Sequence, residues 1–170
     1  DVYTSDSTFM ADAFWHEEGA PSVTTAPNGT AKLTFSPGGS IEGIAVNPSD
    51  ENDVVVVTGV GSNNIKRSMN AAGPSPTFTN VGSIAGSNSP ATYDAIIDRD
   101  NPNIIVVGTS SGVFVTENGG TSWTNGSAGF LGTPVYEVRQ SWRTWNEGNF
   151  RPGEIYLGTY GRGIWSSSSY

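Results

Sequence analysis

The sequence contains no cysteine, which excludes disulfides, thiolate metal ligands and cysteine nucleophiles. Charged residues are scarce at 14%, and 16 acidic against 8 basic residues give a net charge of −8. A chain this acidic is repelled by phosphate backbones, so nucleic acid is not expected as a partner.

No apolar run approaches the roughly 20 residues of a membrane span. The chain opens at Asp1 without an initiator methionine or a visible signal peptide, so we expect a processed product or a fragment of a larger protein.

Good helix formers are also scarce, whereas turn-forming residues are abundant. The chain has 22 glycines and 10 prolines, and many serines, threonines and asparagines separate its short apolar runs. This composition favours many short strands joined by turns over long amphipathic helices. The sequence therefore predicts an all-β fold.

One strand–turn–strand pattern recurs three times, about 50 residues apart. Each copy is a β-branched or aromatic run, a tight turn with glycine or asparagine, and a second short run, which is typical of a β-hairpin. The paired runs are Val54–Gly59 with Ile65–Ser68, Ile104–Thr109 with Val113–Thr116, and Ile155–Thr159 with Ile164–Ser166.

Further strands complete each repeat. An apolar stretch precedes each hairpin, at 41–46, 92–97 and 134–138, and an outer strand is predicted after the first two, at 77–81 and 121–124. Four strands in about 50 residues is the size of one propeller blade. We therefore predict a partial β-propeller of about three four-stranded blades, at 40–90, 91–133 and 134–170 (the last one partial). Residues 1–39 are interpreted as the tail of a preceding blade or irregular strands.

The ends of the hairpins resemble the Asp-box, or bacterial neuraminidase repeat, of β-propellers. The clearest copy contains Thr116, Asn118, Gly120, Thr121 and Trp123, with Asn118 in place of the usual aspartate. A degenerate copy with insertions contains Ser68, Gly73 and Phe78, and a third copy ends after Ser166. In the family this motif closes a turn at the blade periphery, so the resemblance implies structural roles and no active site.

Asp-box propellers include sialidases, xyloglucan-active glycosidases, sortilin-type receptor domains, a photosystem assembly factor and large secreted bacterial surface proteins. The segment Gly158–Trp165 resembles the last blades of surface proteins from gliding, Bacteroidota-type bacteria, which often carry a sorting domain for type IX secretion. The resemblance implies a secreted or cell-surface location. Since one fold hosts many functions, the chemistry has to be argued from individual residues.

Three acidic residues are predicted to share one position near the start of the first strand of each unit. They are Glu42, Asp94 and Glu137. The first strand of a blade lines the central channel, so a ring of carboxylates there would hold a cation or act as acid and base. The alternative is that they are solvated residues that share a register through common ancestry.

Two tryptophans, Trp142 and Trp145, lie in the longest predicted turn, from 140 to 154. Exposed aromatic side chains on a rigid scaffold stack on sugar rings or contact proteins. They are candidate carbohydrate-binding residues, and the alternative is that they fold back and cap the blade.

Other patterns carry weaker predictions. Residues 98–101, Asp-Arg-Asp-Asn, are compatible with a calcium loop but also with a plain turn, so no cofactor is expected apart from that calcium alternative. His16 lacks the second histidine of a zinc-protease helix. Tyr136 and Glu137 are neighbours on one strand and point to opposite faces, which argues against a sialidase nucleophile pair.

The leading hypothesis is a non-catalytic extracellular or cell-surface propeller module for binding, adhesion or assembly within a larger secreted protein. The alternative is a glycoside hydrolase, sialidase- or xyloglucanase-like, whose active site is completed by blades outside this sequence, and an intracellular assembly factor is a third possibility. Three blades do not close a ring. The expected partners are therefore the remaining blades or neighbouring chains, with carbohydrate as the candidate ligand.

Overall fold

The computed structural model describes residues 24–25, 31–32, 40–59, 64–73, 76–84, 89–130 and 132–168. These residues form thirteen strands and one turn of 3-10 helix, so the predicted all-β class is confirmed. Most of the segment 1–39, predicted as the tail of a preceding blade or irregular strands, and His16 lie outside the described residues. Within 1–39 the structure describes one short antiparallel pair, β1 (Thr24–Thr25) with β2 (Ala31–Lys32).

Three antiparallel meanders follow, here named blades I, II and III. Blade I contains β3 (Gly43–Asn47), β4 (Asp50–Val57), β5 (Ile65–Ser68) and β6 (Thr79–Asn80). Blade II contains β7 (Thr92–Ile97), β8 (Ile105–Thr109), β9 (Gly112–Thr116) and β10 (Thr124–Asn125). Blade III contains β11 (Val135–Gln140), β12 (Ile155–Thr159) and β13 (Gly163–Ser167). The sheets are a partial β-propeller, as the sequence predicts.

The second strand of each blade lies between two others and is rich in β-branched residues. In β4 the run 54–57 is four valines that are at most 1% exposed. Val55 and Val57 pack in the core shared with blade II, and Val54 and Val56 pack against Ala71 and Phe78 on the opposite face. Full burial of a valine side chain contributes about 1.5–3 kcal/mol. Burial of the valine run therefore stabilises blade I and its contact with blade II.

A threonine lies at the same position, the end of the second strand, in each of the three blades. It serves as a reference point for aligning them. Thr109 donates its hydroxyl to Gly112 O at 2.8 Å, and Thr159 donates to Gly163 O at 2.6 Å. Thr58 occupies the same place and bonds to a carbonyl across its own turn. Counting back from these threonines aligns the three blades residue by residue.

This alignment corrects one predicted equivalence. Ser68 pairs with Val54 and Thr116 pairs with Ile105, at the same position of their ladders. In blade III that position belongs to Ser167, which pairs with Ile155, and not to Ser166. The three-residue turn between Thr159 and Gly163 is one residue longer than its counterpart in blade II, which shifts the count.

Each blade packs one face, here named its forward face, against the next blade. Side chains of blades I and II enclose one core, which contains Val55, Val57, Ile97 and Val107. Blades II and III enclose another, which contains Ile96, Val106, Val113, Val138 and Leu157.

Glycines allow the close approach of adjacent blades. A Cβ on Gly43 of blade I would lie 2.9 Å from Asp94 Cα of blade II. A Cβ on Gly108 of blade II would lie 2.6 Å from Val135 O of blade III. Both distances are shorter than side chains tolerate, so the inner strand of each following blade sits against a glycine.

The forward face of blade III is exposed. Its residues match the buried forward-face residues of blade II in register, yet Ile164 is 79% exposed and Tyr156 is 37% exposed. Glu137 and Arg139 lie on the same face through their pairing with Gly158 and Tyr156. Within the described residues, nothing covers this face.

Two turns that follow the hairpins share one hydrogen-bond pattern. Thr116 Oγ1 accepts from Gly120 N at 2.9 Å and donates to Asn118 Oδ1, which also accepts from Ser122 N at 2.9 Å. In blade I, Ser68 Oγ donates to Asn70 Oδ1, and that oxygen accepts from Thr77 N at 2.9 Å. Asparagine thus closes both turns by accepting backbone N–H groups.

The aromatic residue after the turn in blade II reaches beyond its own blade. Trp123 donates its indole N–H to Val81 O of blade I at 3.1 Å and packs on the core between the two blades. Phe78, at the matching place in blade I, packs on the opposite face of that blade against Val54 and Val56.

No helix in the described part of the chain is long and apolar enough to cross a membrane.

Candidate functional site

The first strands of the three blades line a groove of about 520 Å³, here named the inner-strand groove. Residues 42–46, 93–97 and 136–140 form its walls, and Trp142 extends one end. The edges of β3, β7 and β11 lie side by side, so one side chain from each blade reaches the same opening. A ligand in this groove would contact residues that are distant in sequence.

Two tyrosines form an aromatic platform in the groove. The rings of Tyr93 and Tyr136 lie with centroids 4.5 Å apart at an interplanar angle of 35°, and Tyr160 meets Tyr136 edge-on at 6.0 Å. Both groove tyrosines occupy the position where the register of β7 and β11 shifts. The bulge turns each ring out of the ladder and into the opening.

The phenol of Tyr93 stays protonated over a wide pH range. Burial raises its pKa above the usual value, and the hydrogen-bonded Tyr136 and the carboxylate of Glu42 add to the rise. Glu42 itself accepts a hydrogen bond from Ser40 Oγ at 2.8 Å. At neutral pH the hydroxyl group of Tyr93 is therefore uncharged.

A network of one arginine and two carboxylates lies beside the platform. Asp94 Oδ2 accepts from Val138 N at 2.8 Å and from Arg139 Nη1 at 2.5 Å, so it joins blades II and III. Arg139 Nη2 lies 2.6 Å from Glu137 Oε2. Asp94 is buried at 8% exposure, whereas the side chains of Glu137 and Arg139 are about 60% exposed.

Two of the three predicted carboxylates, Asp94 and Glu137, occupy the same strand position in their blades, and the third, Glu42, does not. Asp94 pairs with Gly108 and Glu137 with Gly158, whereas the residue that pairs with Val57 is Gly43. Glu42 precedes Gly43, and so it occupies the position of the two tyrosines. The predicted period is therefore off by one residue for Glu42, because apolar runs alone do not define the strand register.

Tyr136 and Glu137 have different partners, as their adjacency on one strand suggests. Tyr136 stacks on Tyr93, and Glu137 pairs with Arg139. Arg139 was not predicted as a site residue. The signal in the sequence that could have identified it is that Arg139 of β11 stands where β7 has the apolar residue Ile96.

The tryptophans of the 140–154 loop are exposed and do not cap the blade. Trp142 is 57% exposed and lines the groove, and Trp145 is 64% exposed and meets Phe150 edge-on at 6.2 Å, away from the groove. Arg99 of blade II donates to the carbonyl of Trp142 at 2.8 Å.

Internal hydrogen bonds hold the same loop in shape. Thr144 N donates to Glu147 Oε2 at 2.8 Å, and this bond lowers the pKa of Glu147. Asn149 Nδ2 donates to Ser141 Oγ at 2.6 Å and to Arg143 O at 2.7 Å. The aromatic side chains therefore stand on a preorganised loop.

The Asp-Arg-Asp-Asn turn is built around its first carboxylate. Asp98 Oδ1 accepts from the backbone N–H groups of Asp100 and Asn101, and Oδ2 accepts from Gln140 Nε2 of blade III at 2.6 Å. Among the described residues, no three histidine or acidic side chains come together in a way that holds a metal ion.

No protein-family model matches the sequence, and no curated protein is significantly similar to it. Among solved structures, the chain is similar to the GH74 xyloglucanase from Xanthomonas campestris, with a TM-score of 0.51 and 16% identity over 76% of this chain. It is also similar to the GH74 enzyme of Niastella koreensis, with a TM-score of 0.52 and 21% identity over 76% of this chain. The matches cover 22% and 21% of those proteins, so the chain spans about a fifth of their length. At these identities the likeness shows the fold, which is that of a β-propeller.

Proposed function

We propose that this chain is part of a secreted β-propeller that binds polysaccharide along the inner-strand groove without cleaving it. The observation that carries the proposal is the tyrosine platform, Tyr93 with Tyr136, beside the hydrogen-bonding network of Arg139. Aromatic faces stack on the apolar faces of sugar rings, and charged groups next to them accept and donate hydrogen bonds to sugar hydroxyls. The adhesion and assembly parts of the sequence hypothesis stay predictions.

The charge of the groove favours an uncharged glycan. Three carboxylates, those of Glu42, Asp94 and Glu137, line the groove, and Arg139 supplies the one guanidinium of its lining. The excess negative charge repels uronic and sialic acids, which carry carboxylates of their own. The proposed ligand class is therefore a neutral polysaccharide.

The same network argues against acid–base catalysis by these residues. Glycoside hydrolysis requires two carboxyl groups that flank the scissile bond with different tasks, one as acid and one as base or nucleophile. Here Asp94 is buried and bonded to a backbone N–H, and it shares Arg139 with Glu137. Both carboxylates therefore hold the blades and the groove in place.

The second candidate is a glycoside hydrolase completed by further blades. The fold likeness to two GH74 proteins, one of them a xyloglucanase, supports this candidate. The exposed forward face of blade III supports further blades as partners, because the matching faces of blades I and II are buried. The turns closed by Asn70 and Asn118 support a relationship to Asp-box propellers, which are often secreted.

Affinity electrophoresis of the chain in gels containing xyloglucan, β-glucan or polygalacturonate tests the proposal. We expect retardation by the neutral polymers and none by polygalacturonate, and no release of reducing ends. Loss of binding in Tyr136→Ala with retention in Phe150→Ala, a side chain outside the groove, would locate the site. Release of reducing ends that Asp94→Asn abolishes would instead favour the hydrolase, and equal retardation by all polymers, polygalacturonate included, would contradict a site for neutral polysaccharide.

A further inference from the structure

Two aromatic features lie at opposite ends of the inner-strand groove. Tyr93 and Tyr136 are each the second residue of their strands, whereas Trp142 follows Gln140, the last residue of β11. From Tyr136 to Gln140 the strand advances about 13 Å, at about 3.3 Å per residue. The tyrosine platform and Trp142 are therefore farther apart than a disaccharide extends.

The repeat does not account for a tryptophan at this place. Two residues beyond the matching ladder position of each inner strand, the three blades carry, in order, Pro48, Arg99 and Trp142. The tryptophan is thus particular to blade III, and the arginine at the matching place is particular to blade II. These two residues are in contact across the blades.

The side chain of Arg99 reaches from blade II to the start of the 140–154 loop. Its Nη1 donates to Trp142 O at 2.8 Å and to Arg143 O at 3.2 Å. The guanidinium is planar and the side chain is 17% exposed, so it holds both carbonyls in one orientation. The contact therefore fixes the backbone from which the indole of Trp142 projects.

A second contact ties the same loop to the same turn. Arg99 N donates to Gln140 Oε1 at 2.9 Å, and Gln140 Nε2 donates to Asp98 Oδ2 at 2.6 Å. Gln140 Nε2 also donates to Gly153 O, at the far end of the loop, at 3.1 Å. The turn of blade II that contains Asp98 and Arg99 thus determines where the loop of blade III lies relative to the groove.

We propose that Arg99 is a positioning residue that holds Trp142 as a second sugar-stacking site, at the end of the groove opposite the tyrosine platform. Trp142 lines the groove and is 57% exposed, so a face of its indole is available for a sugar ring. The inference rests on the proposed function and names the preferred ligand, a neutral oligosaccharide long enough to reach both aromatic ends.

Cellobiose and cellohexaose, two neutral β-glucan oligosaccharides of different length, serve as the probes for the full chain. NMR titration measures both affinities, including binding in the millimolar range. We expect Trp142→Ala and Arg99→Lys each to weaken cellohexaose binding by about fivefold or more and to leave cellobiose binding within about twofold. Tyr136→Ala is expected to weaken both, and Phe150→Ala, on the same loop but outside the groove, to weaken neither.

A double-mutant cycle separates positioning from a general structural role. Arg99→Lys keeps the positive charge but loses the planar fork. Because Arg99 acts through Trp142, we expect Arg99→Lys to cause no further loss of cellohexaose affinity in the Trp142→Ala background. Equal losses in the two backgrounds would contradict the positioning role. Trp142→Phe keeps an aromatic face and is expected to retain most of the affinity that Trp142→Ala loses.

Failure of this inference is distinguishable from failure of the proposed function. Binding of both oligosaccharides with an affinity ratio that Trp142→Ala leaves unchanged would overturn the second stacking site and leave the tyrosine platform in place. No binding of either oligosaccharide to a chain whose NMR spectrum shows it folded would contradict both.

Discussion

Asp94 of blade II accepts a hydrogen bond from the backbone N–H of Val138 of blade III at 2.8 Å. The acceptor lies on the forward face of one blade, and the donor lies on the inner strand of the next. This contact seats β11 against β7 and places Arg139 beside the tyrosine platform. Packing of the blades and shape of the groove therefore depend on the same carboxylate.

Replacing Asp94 tests this dual role. Asp94→Ala leaves the buried Val138 N–H without an acceptor, and we expect a loss of about 1–3 kcal/mol in the free energy of unfolding. Asp94→Asn keeps an acceptor for Val138 N but not the ion pair, so its loss is expected to be smaller. Urea unfolding of the two variants measures both, and equal losses would show that the ion pair, and not the backbone bond, dominates.

The small size of Gly108, at the interface of blades II and III, is predicted to be required for the stability of the fold. In Gly108→Ala the new methyl group meets Val135 O at 2.6 Å, and overpacking of this kind costs about 1–3 kcal/mol. Gly126→Ala is the matched control, because its Cβ meets nothing closer than 3.4 Å. Thermal unfolding is expected to show a lower Tm for Gly108→Ala alone; a similar decrease for both would contradict a special role of the close contact with Val135.

The turn of blade II depends on a hydroxyl that is almost fully buried. Thr116→Val preserves the side-chain shape but removes the acceptor for Gly120 N and the donor to Asn118 Oδ1. We expect a destabilisation of about 1–3 kcal/mol. Thr121→Val is the control, since Thr121 is exposed and bonds to one carbonyl. Chemical denaturation that ranks Thr121→Val as the more harmful would refute this role for Thr116.

Acid is predicted to weaken blade III through Glu154. Hydrogen bonds from Ser166, Arg151 and Tyr156 lower the pKa of this carboxylate in the folded chain, with that of Ser166 the largest cause. A lowered pKa contributes stability above the unfolded value of about 4.3, and that stability is lost as the pH falls through the folded value. Glu154→Gln is expected to be less stable than the natural chain at pH 7 and to converge with it below pH ~4. Unfolding curves that stay equally far apart at both pH values would contradict this.

The repeat, the hairpins and the all-β class were predictable because alternation of β-branched residues and turn residues is local information. The register was not. Glu42 and Ser166 each lie one residue from the predicted equivalence: Gly43, and not Glu42, holds the ladder position of Asp94, and a longer turn before Gly163 shifts β13. Such shifts leave the pattern of apolar residues nearly unchanged.

The candidate site was predictable in part. An acidic position on the inner strands and the exposure of Trp142 follow from the blade pattern and loop length. The pairing of Tyr93 with Tyr136 does not, because it requires the spacing between two blades. The role of Arg139 was not predictable for the same reason, since its partner Asp94 lies on another sheet.

Isothermal titration of the full chain with xyloglucan oligosaccharides, together with its Tyr136→Ala and Phe150→Ala variants, tests the central claim most directly. We expect binding by the natural chain and by Phe150→Ala, and a decrease in affinity of about tenfold or more in Tyr136→Ala, because stacking on one face of the platform is lost. Equal affinity in Tyr136→Ala and the natural chain would contradict a polysaccharide site in the inner-strand groove.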